Sequence, residues 1–154
     1  TVEPYISIAA DAPERPAGDA PPVVELDDLT VRFGAGEPAV SHVSLSIRAG
    51  EFVLLTGPSG CGKTTLVRCL NGLIPHLIAA DVQGEIRVAG LDPLEREVRE
   101  MASCIGMVFQ VPEAQLFNLF VEEEVAFGCR NLGRDAAEVE RRVEQALDAV
   151  PFPP

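Results

Sequence analysis

Basic side chains are scarce in this sequence, and lysine is almost absent. The chain has 12 basic against 24 acidic residues, and its single lysine is Lys63; every other basic residue is an arginine. A nucleic acid would need a basic face on its partner, so the net charge of −12 excludes it as a general partner. A small anion is not excluded, because a local group of backbone N–H donors can hold phosphate in an acidic field.

Long apolar runs and paired cysteines are also missing. Spanning a bilayer takes a run of roughly 18 or more apolar residues, and no such run occurs, so we expect no transmembrane helix. The four cysteines form no C-x-x-C pair, and neither histidine stands at metal-ligand spacing from them. That pattern predicts reduced thiols and no structural zinc site.

Proline, alanine and acidic residues dominate the first 22 positions. A segment of that composition buries too little apolar area to offset the cost of ordering it. We therefore predict a flexible tail over 1–22, followed by a folded domain over 23–154. Hydrophobic residues make up 47% of the chain, which is sufficient for a core.

Five segments have the hydrophobic patterns of strands. Order is predicted to begin at VVELDDLTVRF (23–33), whose first part, VVELDD, alternates like an edge strand, and HVSLSIRAGE (42–51) predicts a half-buried strand. FVLLTG (52–57) is a continuous apolar run, which is typical of a strand buried on both faces. GEIRVAG (84–90) and CIGMVFQ (104–110) predict two further strands.

Helices are predicted between and after these strands. Leucines at helical spacing predict a helix over 62–73, and Asp-Pro begins a second over 92–101. A third helix is predicted over 120–129. For the last helix, Asp135 followed by Glu138 resembles a capping box, and an apolar stripe follows it.

The strongest motif is GPSGCGKT, which fits the phosphate-loop pattern G-x-x-x-x-G-K-[ST] at every fixed position. Glycines let successive N–H groups point at phosphate oxygens, and the following helix N-terminus adds partial positive charge. Lys63 is predicted to reach the β- and γ-phosphates and the Thr64 hydroxyl to ligate Mg²⁺. Arginine would be too large for the loop interior. The predicted nucleotide-binding residues are Gly57, Ser59, Gly60, Cys61, Gly62, Lys63, Thr64 and Thr65.

Cys61 lies inside this loop, beside Lys63 and near a helix N-terminus. Both neighbours favour the thiolate, which is the reactive form of a cysteine. We therefore predict that a thiol reagent modifies Cys61 and that bound ATP shields it.

The sequence around the loop resembles the ATPase domains of ABC transporters. LTVRFG places Phe33 where that family has an aromatic residue stacked on adenine, and Val40 matches the small apolar residue that helps wall the base. IGMVFQ is similar to the family's glutamine loop, with Gln110 at its end. The resemblance implies an α/β fold, with a P-loop NTPase core and an N-terminal antiparallel β subdomain. It also implies ATP and Mg²⁺ as cofactors, Lys63 and Gln110 as catalytic residues, and Thr64 and Gln110 as metal ligands.

Two segments carry a narrower resemblance, NGLIPH (71–76) and VFQVPEAQLFNLFVEEEVAFGCRNLG (108–133). Both are similar to ATPase subunits of energy-coupling-factor transporters, which import vitamins, their precursors or transition-metal ions. The resemblance implies that Val111–Phe127 contacts a transmembrane subunit, with Gln115 and Phe117 facing it. The alternative is that Phe117 packs internally and Gln115 faces solvent. A second ATPase domain as dimer partner, and a place on the inner face of the cell membrane, are also implied.

The resemblance stops at about Val150. The family continues with a signature rich in Ser, Gly and Gln, an apolar strand ending in Asp-Glu, and a switch histidine, and the sequence contains none of them. Two acidic stretches, LFVEE and VVELDD, are in the wrong place to supply the catalytic base. We therefore expect an incomplete domain, the N-terminal part of a larger ATPase, that binds ATP with little or no hydrolysis.

Three other functions fit parts of the pattern: a soluble ABC-type ATPase, a small-molecule kinase, and a non-hydrolysing nucleotide-binding module. The first would usually have a more basic surface. Phe33 and Gln110 argue against the kinase. In the resembled family a different membrane subunit selects the transported substrate.

Overall fold

The computed structural model describes residues 21–150. The chain divides into two compact units, Thr1–Gly106 and Met107–Pro154. All but the last two residues of the predicted tail, 1–22, lie outside the described residues.

The first unit contains a three-stranded antiparallel sheet. Its strands are β1 (Val24–Arg32), β2 (Val40–Ile47) and β3 (Asp81–Val88), in the spatial order β2-β1-β3. The strand predictions for these three segments are confirmed in kind, with shifts of a few residues at the ends. The edge position expected for the first strand is wrong, since β1 lies in the centre and pairs on both sides.

A bulge interrupts the alternation of buried and exposed residues along β1. Asp28 takes a left-handed φ of 52°, and the pairing register shifts between Leu26 and Leu29. The extra residue moves both leucines to the buried face. Opposite the bulge, Gly84 has a φ of +94°, and a Cβ there would lie only 2.6 Å from the Asp28 carbonyl oxygen.

Two helices, α1 (Lys63–Leu70) and α2 (Leu73–His76), contribute side chains to the hydrophobic core on the buried face of the sheet. A short α3 (Val98–Met101) follows β3. The helix predicted over 62–73 is thus interrupted, because Gly72 adopts a φ of 75°. The helix predicted over 92–101 forms only in its last turn. The core consists of Leu26, Leu29, Val31, Val40, Val43, Leu66, Cys69, Ile74, Ile86, Val88 and Met101.

Two predicted strands do not form, and these predictions are wrong. FVLLTG is irregular and largely exposed, with Phe52 90% and Leu54 74% accessible to solvent. CIGMVFQ is irregular as well, and Val108 is 82% exposed. An apolar run becomes a buried strand only where neighbouring strands take up its N–H and C=O groups. Within residues 21–150 neither run belongs to a sheet.

The second unit is helical. A 3₁₀ helix (Pro112–Gln115) precedes α4 (Val121–Asn131) and α5 (Ala136–Ala149), which pack together. Both long helices were predicted from the sequence. Asp135 caps α5 by accepting a hydrogen bond of 3.0 Å from the Glu138 N–H. The return half of the capping box is absent, because the Glu138 carboxylate binds Arg141 and Arg142 instead. No helix within residues 21–150 has the length and apolar character needed to cross a bilayer.

Candidate nucleotide-binding site

The predicted phosphate loop runs from the end of FVLLTG to the first turn of α1. Gly57, Gly60 and Gly62 have φ angles of 150°, 81° and 95°, which side chains disfavour. The Cys61 N–H donates to the Pro58 carbonyl oxygen at 3.4 Å and closes a turn inside the loop. The glycines at the fixed positions of the motif are therefore needed for the backbone path.

Gly62 is the N-cap of α1 and packs against the start of β2. A Cβ on Gly62 would overlap the carbonyl oxygen of Ala39 and would lie 3.2 Å from Val40 Cγ2. On its other side, the Gly62 carbonyl accepts the Leu66 N–H at 2.9 Å. The end of the phosphate loop is thus held between β2 and α1, with no space for a side chain.

The Lys63 ammonium points back into the loop. Its Nζ donates to the carbonyl oxygens of Gly57 and Pro58, both at 2.8 Å, and lies 3.5 Å from Cys61 Sγ. A compact ammonium makes these three contacts from one point, whereas a planar guanidinium would need a wider space. The position supports the steric explanation for the single lysine.

Cys61 is buried, with 3% of its surface exposed. The expected reactivity toward thiol reagents requires access as well as a nearby positive charge. In this structure the access is missing, so the expectation that Cys61 is readily modified is not supported. The exposed cysteine of this unit is Cys104.

The charge around the loop differs from that of the whole chain. From residue 52 to residue 80 there is no aspartate or glutamate, although the net charge is −12. The first turn of α1 carries no acidic side chain, and Thr64 is exposed there. An anion at this helix N-terminus would meet partial positive charge and one ammonium without local repulsion.

The two predicted base-binding residues lie on the connection between β1 and β2. Phe33 directly follows β1 and is 41% exposed. The connection is braced by a hydrogen bond of 2.7 Å from Arg32 Nη1 to the Gly36 carbonyl oxygen. Val40 begins β2, and only 2% of its surface is exposed. The structure therefore brings Val40 against Gly62 in the core and leaves Phe33 with an accessible ring.

Gln110, the other predicted catalytic residue, belongs to the second unit and is exposed. A single carboxylate organises the loop that follows it. Glu124 Oε2 accepts hydrogen bonds from the Phe117 N–H (3.0 Å), the Asn118 N–H (2.9 Å) and Asn118 Nδ2 (2.8 Å). Hydrogen bonds from the Asn118 backbone and side chain and from the Phe117 backbone lower the pKa of Glu124.

This loop presents apolar side chains to solvent. Phe117 is 74% exposed and stands 5.8 Å from the ring of Phe127, whereas Gln115 is half-buried. The alternative of a packed Phe117 beside a solvated Gln115 is wrong. We call the exposed cluster the apolar loop surface; it comprises Leu116, Phe117, Leu119, Phe120 and Val121.

A cavity of about 710 Å³ lies between α4 and α5, but its chemistry does not suit a phosphate. Its floor is apolar, with Ala126, Val139, Val143 and Leu147. Its rim carries more acidic than basic side chains: Glu122, Glu123, Glu140 and Glu144 against Arg130 and Arg134. Carboxylates would repel a nucleotide, so the loop of the first unit remains the candidate site.

A family model described as ABC transporter matches residues 40–154. The chain belongs to the ABC transporter family. This match and the solved structure of CbiO1 confirm the predicted family and the predicted α/β fold class, in which a small antiparallel sheet is combined with a phosphate loop and helices.

Similar proteins in this family are considerably longer. A Pyrococcus horikoshii protein named as an ABC transporter ATP-binding protein is 46% identical over 129 residues, covering 83% of this chain and 45% of its own length. A Methanosarcina acetivorans protein with the same name is also 46% identical over 129 residues, which are 20% of its length. The solved structure of CbiO1 from Clostridium perfringens, described as part of the ABC transporter complex CbiONQ, gives a TM-score of 0.70 at 27% identity. It covers 84% of this chain and 50% of CbiO1, so the chain spans half or less of the length of these relatives.

Two residues of the site were not found from the sequence. Ala39 supplies the backbone against which Gly62 packs, and Pro58 supplies a carbonyl acceptor for Lys63. Pro58 stands at a variable position of the motif, so the pattern carried no signal for it. The only sequence signal for the close contact between the Ala39 backbone and Gly62 was the small side chain directly before Val40.

Proposed function

We propose that this chain is the nucleotide-binding part of an ABC transporter ATPase, which uses ATP to power the uptake of a small molecule or metal ion. The observation that carries the proposal is the phosphate loop, exposed to solvent at the N-terminus of α1, with Lys63 inside it and no acidic residue between positions 52 and 80. Family membership supports the same function.

The residues of the loop fit Mg-ATP. Left-handed glycines leave space for phosphate oxygens beside the backbone, and Gly60 has no atom within 4 Å of where a Cβ would be. Lys63 exchanges its carbonyl partners for the terminal phosphates, and Thr64 offers an exposed hydroxyl to Mg²⁺. Phe33 stacks on the adenine face, because its ring is accessible and keeps the π-surface of the usual tyrosine. Bound Mg-ATP supplies the phosphoanhydride bond whose cleavage drives transport.

Gln110 is proposed as the residue that ligates Mg²⁺ or orients the attacking water. The support for it is its place at the end of IGMVFQ and the neutral amide, which adds no negative charge beside the phosphates. Ser59, Cys61 and Thr65 complete the proposed phosphate-binding set. Hydrolysis by this chain alone is expected to be slight, because its sequence offers no carboxylate placed to position the water.

The membrane partner is proposed to contact Val111–Phe127. The apolar loop surface lies in this segment, with Leu119 94% and Phe120 64% exposed. The charged residues in this part of the sequence are all acidic, since residues 107–129 include no basic residue. These features favour a partner helix with an apolar face and basic flanks. The likeness to CbiO1 supports a transporter of the energy-coupling-factor type, with a second ATPase domain as dimer partner, acting at the inner face of the membrane.

Calorimetry of Mg-ATP binding tests the proposed site. We expect wild type to bind, and Lys63→Ala to bind at least tenfold more weakly, because about 1.4 kcal/mol of charge–phosphate interaction is lost. Lys63→Arg should be nearly as weak, since the guanidinium does not fit among the Gly57 and Pro58 carbonyls. Arg68→Ala, a change of the same charge farther along α1, is the control and should leave binding unchanged.

Phosphate release tests the expected lack of turnover. We expect wild type and Lys63→Ala to release phosphate at the same background rate. Turnover well above that background would show that an acid in this chain, such as Glu122 or Glu123, acts as the base. No binding by wild type would overturn the proposed site.

A further inference from the structure

Val40 packs against the end of the phosphate loop, at Gly62. It is 2% exposed, and its Cγ2 lies 3.2 Å from the position that a Cβ on Gly62 would take. A side chain this deeply buried offers little surface to a base in solution. Its contact with the N-cap of α1, however, is direct.

The backbone next to Val40 reinforces this contact. The Ala39 N–H donates to the Val31 carbonyl at 2.8 Å, which anchors Ala39, the residue whose own carbonyl lies against Gly62. Gly62 in turn begins the hydrogen-bonded ladder of α1 through Leu66. The N–H groups of Lys63 and Thr64 follow directly, so their direction depends on where Gly62 rests.

We propose that Val40 is a positioning residue for the phosphates: it supports Gly62 and thereby aims the N–H groups at the N-terminus of α1. This inference rests on the proposed function and assigns Val40 a role toward the phosphate groups instead of the base. Removing two methyl groups leaves a void beneath Gly62, and displacement of preorganised donors by a fraction of an ångström weakens binding.

The test compares two ligands that share phosphates but differ in the base, Mg-ATP and Mg-tripolyphosphate. In Val40→Ala we expect both dissociation constants to rise by the same factor, about fivefold. Val40→Thr keeps the branched shape beneath Gly62 and should restore both dissociation constants to within about twofold of wild type, while its buried hydroxyl lowers the stability of the fold. Calorimetry measures both dissociation constants for wild type and each variant, and thermal unfolding shows that each variant is folded.

Val43→Ala is the matched control. Val43 lies three residues further along β2 in the same core and loses the same two methyl groups. It is expected to lower stability but to leave both dissociation constants unchanged.

Three outcomes would overturn the inference. A rise for Mg-ATP with unchanged tripolyphosphate binding would assign Val40 to the base. Equal effects of Val40→Ala and Val43→Ala would reduce Val40 to an ordinary core residue, as would an unchanged Val40→Ala. If wild type binds neither ligand, the proposed function is wrong. If wild type binds both ligands and one of these three outcomes is observed, the role of Val40 is refuted and the proposed function is unaffected.

Discussion

Gly62→Ala should destabilise the first unit more than Gly60→Ala does. Two costs combine at this position. Gly62 has a φ of 95°, and a left-handed conformation costs a residue with a side chain about 1–2 kcal/mol. The new Cβ would also overlap the Ala39 carbonyl oxygen, far inside the 3.0 Å below which such contacts are essentially not seen.

The second cost can be separated from the first with Gly60→Ala. Gly60 has a similar φ of 81°, but nothing lies within 4 Å of its Cβ position. Forcing an extra carbon into a packed site typically costs about 1–3 kcal/mol. We therefore expect a loss of about 2–5 kcal/mol for Gly62→Ala and about 1–2 kcal/mol for Gly60→Ala.

Urea unfolding measures both losses, provided that the slope m is the same in the three proteins. The α1 N-terminus must move to relieve the overlap, so Gly62→Ala should also weaken Mg-ATP binding more than Gly60→Ala does. Equal free energies of unfolding for the two variants would refute the reasoning, because they would mean that Gly62 does not rest on Ala39.

Two further predictions concern titratable groups. A thiol reagent should label Cys104, which is exposed, before Cys61, which is 3% exposed; peptide mass analysis over time checks the order, and early labelling of Cys61 would show that the loop opens. Glu138 should make the stability of the second unit depend on pH. Hydrogen bonds from Arg142 and Arg141 lower the pKa of Glu138 from 4.5 to about 2. Its contribution is therefore complete above pH 4.5 and is lost as the pH falls toward 2. Unfolding midpoints of wild type and Glu138→Gln should converge across that range; a constant difference would contradict the pairing.

Local patterns predicted the parts of the fold that depend on local physics. The alternation in HVSLSIRAGE gave β2, and the glycine spacing of GPSGCGKT gave a loop with three positive φ angles. Asp135 was recognised as a cap because its hydrogen bond spans only three residues. In each case the interacting groups are close in the sequence.

The failures share a different cause. FVLLTG and CIGMVFQ have the composition of buried strands, but composition does not supply neighbours, and these segments form no strand within the described residues. The alternation in VVELDD indicates that one face of β1 is buried, but it carries no information on whether strands pair on one or on both sides of β1. The contact between Gly62 and Ala39 joins two segments separated by a whole strand and a loop. A short sequence pattern therefore cannot include both of the residues that make this contact.

The order of the strands affects how the nucleotide-binding site forms during folding. β1 and β2 are adjacent in the chain, whereas β3 returns to β1 only after the phosphate loop, α1 and α2 have been passed. Closing that long excursion carries an entropic cost that the hairpin does not have. The hairpin of β1 and β2 can form first and place the Ala39 carbonyl where Gly62 will pack. The segment that contains the phosphate loop is held at both ends only after β3 has paired with β1. Slow, non-local pairing should therefore limit the rate at which the chain becomes competent to bind nucleotide.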